Sequence, residues 1–544
     1  MGREGGNVKI RSLLAGAFAA VALCAGAVAA EPHLGKFVSY ETEEFTVYTT
    51  RSGDQARQFI EDLAKYRVTL EKTLGKRAQK NTVPTRIVIV SASEWTKYLE
   101  PRKNVAGWFQ PGAFSNTMVM DGDAVRGAAV QLIFHEYTHF YLASQFAGEY
   151  PPWFNEGMAE LMGFAKFDQG KAIMQVPMWR VYEARDGDWI PFERLIRVDH
   201  NSPEYQSHKL ANSFYSQAWL TVHYGMVENR EFGKQMFQFL NLLNNLRPFD
   251  EAANTAFGPD LGVIDKQLRD YSRKTSMASG AIAIGDVPAV TLPPRKLVAE
   301  LDALANIIDI MLTTRLAPDR IRPLVESLAR REPKSARAAI FAARLAQAQD
   351  DEAAFGRAIA QAETALTPTD FTARRELASV LLATALDFGP LSKLSTEDTD
   401  RYLKRAMRLY GEVVAHDNTD VEALWGFGTA AIRLDKNLEL AEQALLAAYA
   451  RAPVSAEIAM SLANLKGRQQ DPEAMIPYLK DAARHANSLQ TKKWATERLA
   501  EMEQWVVERD KVDAENKKQQ EKYDKELAEY EKKYGKAKKK KPAG

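Results

Sequence analysis

The alternation of hydrophobic and polar positions divides the chain into a first part in which strands precede helices and a second part that is helical throughout. Residues 37–50 alternate and are rich in Tyr, Thr, Val and Phe, which predicts one or two strands. Residues 85–91 contain the run Ile-Val-Ile-Val, which predicts a buried strand, and residues 117–120 predict a shorter one. Helical periodicity predicts helices at residues 54–76, 124–147, 203–226 and 229–246 and from about residue 153. We therefore expect an α+β domain that extends to about residue 275.

The second part of the chain contains an internal sequence repeat. Residues 276–296 are rich in Gly, Ala, Val and Pro, which predicts a linker with one strand, and residues 297–505 are Ala- and Leu-rich helical sequence. A period of 34 residues links Trp425, Ala441, Leu445, Ala448 and Pro453 to Ala459, Met475, Leu479 and Ala482, with a partial earlier copy at Ala406, Tyr410 and Val413. This pattern resembles the tetratricopeptide repeat, which implies an all-α solenoid; a non-repeating bundle of Ala-rich helices is the alternative.

The N-terminus has the pattern of an export signal. A short basic stretch precedes an uncharged run over residues 13–30, which ends in small residues and predicts a cleaved secretory signal peptide. Because this run is 18 residues long, an uncleaved membrane anchor is the alternative. Cys24 follows Leu23 rather than a small residue, so it does not fit a lipoprotein cysteine and leaves with the signal. We therefore expect an exported protein, periplasmic or secreted, without a membrane span in the mature chain.

Composition narrows the function classes. The formal net charge is +1, which argues against a globally basic nucleic-acid-binding protein. A single cysteine excludes an intrachain disulfide framework and a cysteine-based zinc cluster, so a metal site would use some of the eight histidines together with carboxylates. Residues 506–544 are a charged helical stretch that ends in four consecutive lysines. This pattern predicts a solvated helix, and binding to an anionic lipid or polymer surface is the alternative.

The sequence His-Glu-Tyr-Thr-His at residues 135–139 suggests a metal site on a helix. His135 and His139 are one turn apart and share a face, so their imidazoles can bind one Zn²⁺. Glu136 lies on the side where an attacking water would be held, which makes it the candidate general base. Two surface histidines on an amphipathic helix are the alternative.

A second acidic motif follows 17 residues after His139. A catalytic zinc site needs three protein ligands, and Glu156 is our candidate for the third. Glu160 lies one turn further along and is expected to accept a hydrogen bond from the non-ligating nitrogen of a zinc-bound histidine. The alternatives exchange these two roles or leave both groups as solvated helix carboxylates.

Together the two motifs resemble the gluzincin branch of the zincin metallopeptidases, the peptidase MA-like group. In those proteins His-Glu-x-x-His is paired with a downstream Asn-Glu motif, which stands here at residues 153–160 as Trp-Phe-Asn-Glu-Gly-Met-Ala-Glu. Residues 106–112 and the strand at 117–120 also resemble the segment beside the cleft of such enzymes. The resemblance covers residues 36–275 and implies a zincin-like fold, one catalytic Zn²⁺ and Glu156 as the third ligand.

A further segment resembles aminopeptidase-type gluzincins. Tyr215 opens Tyr-Ser-Gln-Ala, which implies that its hydroxyl supports the oxyanion of the transition state. A tyrosine that only packs the helix is the alternative, and His208 and His223 are rival donors. The chain lacks the Gly-x-Met-Glu-Asn segment with which aminopeptidases hold a free amine. This favours endopeptidase or oligopeptidase action over aminopeptidase action.

These observations predict an exported zinc metallopeptidase whose helical repeats recruit a peptide or protein substrate or a protein partner. The alternative is a catalytically inactive zincin-like protein that acts as a tetratricopeptide-type binding scaffold. The predicted fold class is an α+β zincin-like catalytic domain followed by an all-α tetratricopeptide-like solenoid. The predicted segments are a signal peptide at 1–30, a zincin-like domain at 31–275, a linker at 276–296, a repeat domain at 297–505 and a charged tail at 506–544.

Overall fold

The computed structural model describes residues 32, 34–42, 45–74, 83–100, 107–110, 112–123, 128–145, 150–199, 201–287, 293–386, 395–486 and 489–535. The predicted signal peptide and the four-lysine tip lie outside these residues. So do the side chains of residues 128–130, 143–145, 208–209 and 489–490. The described part is mainly helical with two small sheets. None of its helices combines the length and the apolar character needed to cross a bilayer.

The larger sheet has six strands in the order β4-β5-β3-β2-β1-β9. Its strands are β1 (Val38–Glu41), β2 (Thr46–Thr49), β3 (Thr85–Val90), β4 (Gly107–Gln110), β5 (Asn116–Asp121) and β9 (Lys296–Leu297). Strand β3 pairs in parallel with β2 and β5, whereas β1–β2, β1–β9 and β4–β5 are antiparallel. Strand β4 therefore lies at one edge of the sheet. The strands predicted at residues 37–50, 85–91 and 117–120 are confirmed.

A smaller antiparallel sheet has the order β6-β7-β8, with β6 at Ala165–Asp168, β7 at Lys171–Met174 and β8 at Gly280–Ala283. The predicted linker at 276–296 thus contributes β8 to this sheet, and β9 of the larger sheet spans the predicted boundary between the linker and the repeat domain. The helices of the first part are α1 (Gly53–Leu74), α2 (Ala92–Glu94), α3 (Ala128–Gln145), α4 (Pro152–Gly163), α5 (Met178–Asp186), α6 (Phe192–Leu195), α7 (Pro203–Gln206), α8 (His208–His223), α9 (Arg230–Asn244), α10 (Phe249–Phe257) and α11 (Leu261–Ser272).

The two faces of the larger sheet are buried by different parts of the chain. Ile87 and Ile89 of β3 point to one face and join the core formed with α1 and α3. Val88 and Val90 point to the other face, since side chains alternate along a strand. They pack against apolar residues of α12 (Glu300–Thr313) and α13 (Pro318–Arg331), the first helices of the second part. The start of the second part therefore completes the core of the first.

The second part is an array of packed helix pairs. After α12 and α13 its helices are α14 (Ala336–Ala348), α15 (Glu352–Ala365), α16 (Phe371–Ala385), α17 (Thr396–His416), α18 (Val421–Leu434), α19 (Leu438–Arg451), α20 (Ala456–Arg468), α21 (Pro472–His485) and α22 (Leu489–Tyr534). The repeat positions Ala441, Leu445 and Ala448 are buried on one face of α19. A Cβ at Gly426 would lie 2.3 Å from the Tyr410 ring, so glycine permits this close helix packing. The array is compatible with a tetratricopeptide-like solenoid.

The last helix runs without interruption through the predicted boundary at residue 505. Helix α22 is 46 residues long, and its final part is exposed on all sides. A helix that is polar all round fits the predicted solvated tail. The zincin-like assignment of residues 31–275 and the limits of the predicted domains stay predictions.

Candidate metal centre

Close packing of three helices positions the candidate ligands. Helix α4 lies against α8 because Gly157 has no side chain: a Cβ there would lie 2.5 Å from the carbonyl oxygen of Ala218. At the other end of α4, a Cβ at Gly163 would lie 3.0 Å from the carbonyl oxygen of Gln131 on α3. Gly157 therefore allows α4 to lie close to α8, and Gly163 allows it to lie close to α3 beside His135. Larger side chains at these glycines would separate the helices.

Three donor atoms from α3 and α4 converge on one point. The Nε2 atoms of His135 and His139 are 3.1 Å apart, and Glu156 Oε2 lies 3.3 Å and 3.4 Å from them. Zinc bonds of about 2.0–2.1 Å in a tetrahedral arrangement separate neighbouring ligand atoms by about 3.3–3.4 Å. Among the described residues Glu156 Oε2 is buried and has no hydrogen-bond partner. Two imidazoles and one carboxylate at these separations fit the ligand set of a zinc site.

The electrostatics of this cluster favour added positive charge. Burial by itself raises the pKa of Glu156, but His139 and His135 outweigh it and hold that pKa well below its ordinary value. Burial lowers the pKa of His139, yet the Glu156 carboxylate outweighs this effect and raises that pKa to about 9. In the metal-free chain a proton on His139 thus balances the carboxylate. A divalent cation held by the same atoms would displace this proton.

Glu136 lies between the metal cluster and the edge of the larger sheet. Burial raises the pKa of Glu136, and His135 and His139 partly offset this effect. A hydrogen bond from the backbone of Phe109 on β4 also reaches its carboxylate. Phe109 belongs to β4, the first strand in the order of the larger sheet, and is opposite Met118 of β5. The candidate base therefore lies beside an edge strand.

The second ring nitrogens of the two histidines face polar groups. His139 Nδ1 lies 3.2 Å from Asn155 Oδ1. His135 Nδ1 lies 3.6 Å from Glu160 Oε1, which is longer than a hydrogen bond. Arg180 binds both oxygens of Glu160, at 2.9 Å and 2.7 Å. The structure thus brings Glu156 into the three-atom cluster and leaves Glu160 between His135 and Arg180.

Two tyrosines lie on the Glu156 side of the site. The Tyr205 hydroxyl donates to Glu156 Oε1 at 2.9 Å, and a hydrogen bond joins the hydroxyls of Tyr205 and Tyr215. Burial and the Glu156 charge raise the pKa of Tyr215 above its ordinary value, so its hydroxyl stays protonated. The predicted oxyanion donor therefore lies at the site, and its hydrogen goes to the Tyr205 hydroxyl, because the one hydrogen of Tyr205 is donated to Glu156.

Sequence reasoning did not assign three residues of this site. Tyr205 lies on α7, a four-residue helix without a motif. Arg180 is buried, and a buried arginine requires an acidic partner, but its position does not reveal which one. Asn155 was part of the quoted motif, and its contact with His139 depends on the angle between α3 and α4. None of these roles has a local sequence signal beyond the motif itself.

His223 is excluded as an oxyanion donor. Its Nε2 lies 3.1 Å from the carbonyl oxygen of Ala278, and the Tyr271 hydroxyl lies 2.7 Å from its Nδ1. Both ring nitrogens are thus occupied in the core, and burial lowers the His223 pKa to about 4. The side chain of His208 lies outside the described part.

Comparisons with known proteins give little. A scan against protein-family models finds no match, and a search of curated proteins finds none either. A search of solved structures returns the crystal structure of PilW, described as a widely conserved type IV pilus biogenesis factor. It is 14% identical in sequence, and the alignment covers 38% of this chain and 93% of PilW with a TM-score of 0.29. Structural similarity this low supports no functional assignment, so the candidate metal centre is argued from the residues and contacts described above.

Proposed function

We propose that this chain is an exported zinc-dependent metallopeptidase that hydrolyses peptide bonds. The observation that supports this function best is the convergence of His135, His139 and Glu156, with donor atoms 3.1–3.4 Å apart. Glu136 beside them supplies a base. A bound Zn²⁺ would polarise the scissile carbonyl and make water a better nucleophile near neutral pH.

The residues of this chain then divide the remaining work. Glu136, oriented by the backbone of Phe109, takes the proton of the attacking water and delivers it to the leaving amine. The outer edge of β4 offers its backbone to an extended peptide, since strand addition to an exposed sheet edge is a common recognition mode. The protonated hydroxyl of Tyr215 donates to the oxyanion as it forms.

Metal content and hydrolysis of the purified mature protein test this function. We expect about one zinc ion per chain, as in a mononuclear catalytic site. Glu136→Gln should retain the metal and lose peptide hydrolysis, because it removes the base but no ligand. Glu231→Gln, an exposed carboxylate on α9, is the matched control and should retain both. Wild-type protein that neither contains nor binds zinc would exclude the proposal.

A second candidate is a binding scaffold without catalysis. The observation that favours it is the array of helix pairs from α12 to α21, because such arrays present extended surfaces to proteins or peptides. The Glu136→Gln variant separates the two functions. A scaffold protein with this substitution would keep its full biological effect, whereas a peptidase would lose it. Deletion from residue 295 is a poorer test, since it removes β9 and uncovers Val88 and Val90.

A further inference from the structure

The repeat array meets the first part of the chain at three separate places. The first is the outer face of the larger sheet, which α12 and α13 cover. The second is the turn between β4 and β5, which contacts α18. The third is the C-terminal end of α9, which contacts α20, α21 and α22. The second contact is connected through β4 to the neighbour of Glu136, and the third through α9 to a residue close to Glu156.

The contact at α18 is made by the turn that follows the edge strand. Phe114 in this turn lies against Trp425 of α18, with ring centroids 4.9 Å apart. Phe114 is also packed against the apolar core that α18 and α19 share. On the other side, β4 leads from this turn back to Phe109, whose backbone is bonded to Glu136. The edge strand β4, which lies beside Glu136, is therefore connected to α18.

The contact at α9 connects the start of α4, which carries Glu156, to the end of the array. Phe237 of α9 lies edge-on to Phe154, two residues before Glu156, with ring centroids 6.0 Å apart. Beyond the end of α9, Leu246 packs against buried alanines of α20, α21 and α22. Arg484 of α21 donates from Nε to the carbonyl oxygen of Asn244 at 3.2 Å.

The backbone at Leu246 supports a firm contact. Leu246 has a φ of +60°, a left-handed conformation that is unfavourable for a leucine. A residue is held in such a conformation where its surroundings compensate. The surroundings here are the apolar residues of the repeat array.

These contacts connect both sides of the candidate metal centre to the repeat array. Glu136 is connected to α18 through β4 and Phe114. Glu156 is connected to α21 through Phe154 and α9. We propose that the repeat array closes one end of the peptide path along the outer edge of β4, so that the site accepts linear, unfolded peptide segments and excludes closed loops. This inference rests on the proposed peptidase function and specifies its substrate class. Trp425 and Phe114 form the barrier at that end.

The barrier also limits the length of substrate on one side of the cleaved bond. Phe109 and Phe114 are five positions apart, so a peptide aligned with β4 meets the barrier about five residues from the catalytic base. In antiparallel pairing the N-terminal side of that peptide faces Phe114. We therefore expect N-terminal products of about five residues or fewer from linear peptides.

A linear peptide and its cyclic form test the proposal on the full mature protein. The linear peptide is one that the protein cleaves in a peptide mixture, and the same sequence is joined head to tail in a ring long enough to lie along β4. Wild-type protein should cleave the linear form and leave the ring intact. The double variant Phe114→Ala/Trp425→Ala should cleave both. Phe371→Ala, which removes an aromatic side chain stacked on His416 elsewhere in the array, should behave as wild type.

Three results separate this inference from the function on which it rests. Equal cleavage of linear and cyclic peptides by the wild type would overturn the closed cleft and leave the peptidase function intact. No cleavage of any peptide by zinc-loaded protein would overturn both. Amide hydrogen exchange tests the barrier without catalysis: it should rise in residues 112–116 with Trp425→Ala and not with Phe371→Ala. Unchanged exchange in both variants would contradict the barrier whatever the activity.

Discussion

Glu156 at the candidate metal centre and Asp309 of α12 are carboxylates with lowered pKa values, and their positive partners differ. Asp309 lies between two arginines, 2.8 Å from Arg86 and 2.6 Å from Arg344. Burial by itself raises the pKa of Asp309, but Arg344 and Arg86 outweigh it and lower that pKa to about 2. Arginine is charged at any physiological pH, so this carboxylate has permanent countercharges within the chain.

Glu156 faces two imidazoles instead, and these are charged only when protonated. Its Oε2 has no hydrogen-bond partner among the described residues, whereas both oxygens of Asp309 are bonded. The comparison shows how a structural carboxylate differs from a metal ligand. The charge of the structural carboxylate is balanced by arginines of the same chain. The candidate ligand has no permanently charged cation beside it. Three predictions sharpen this difference, from the largest expected effect to the smallest.

The largest effect should follow loss of the Glu156 charge. We expect Glu156→Gln to weaken zinc binding by more than about 100-fold, because a ligand change exceeds the 10–100-fold effect of its hydrogen-bonding partners. The difference in thermal unfolding between zinc and a chelator should therefore be much larger for the wild type than for the variant. A metal bound only to folded protein adds about 4 kcal/mol at 1,000 times its dissociation constant. A variant with wild-type zinc affinity would remove Glu156 from the site.

Asp309→Asn should show the opposite pattern. We expect a loss of about 1–2 kcal/mol in unfolding free energy, less than for a fully buried pair because the side chain remains 27% exposed. Zinc content should not change. Because the folded-state pKa is lowered, this contribution is present at neutral pH and is lost as pH falls from about 4 toward 2. Urea unfolding of both proteins at pH 7 and pH 3 checks this; a difference that grows in acid would contradict it.

The smallest effect concerns the hydrogen bond that Tyr205 donates to Glu156 Oε1. We expect Tyr205→Phe to weaken zinc binding by about tenfold, the lower end of what partners of metal ligands contribute. The thermal midpoint of the metal-free protein should change little. Tyr182→Phe, at a half-exposed tyrosine of α5, is the control. Titration with a competing zinc chelator measures the difference, and equal affinities in the two variants would assign Tyr205 a packing role only.

Helix geometry predicted the parts of the site that lie within one helix, whereas Glu156 on the second helix was predicted from its motif and not from geometry. The spacing of His135 and His139 fixes a shared face by helix geometry alone. The distance between Glu156 and that face depends on Gly157 and Gly163, whose close contacts involve other helices. Tyr205 reaches Glu156 across the fold from a four-residue helix. Such tertiary contacts have no local periodicity.

The fold shows the same limit. The apolar run of β3 predicts burial on both faces, and both faces are buried. The sequence does not reveal that helices of the second part cover one of them. At the predicted boundary of the linker lies β9, which pairs with β1 because the chain returns to the sheet. A two-residue strand is too short to produce an alternation that sequence analysis detects.

The cover that α12 and α13 provide has a consequence for biogenesis. The apolar face of β3 and β5 is complete by Asp121, but its cover ends at Arg331, about 200 residues later. At translation rates of about 5–20 residues per second, this face is uncovered for about 10–40 s. A nascent chain therefore exposes an aggregation-prone surface during that interval, and the larger sheet has its full cover only after α13 has been synthesised.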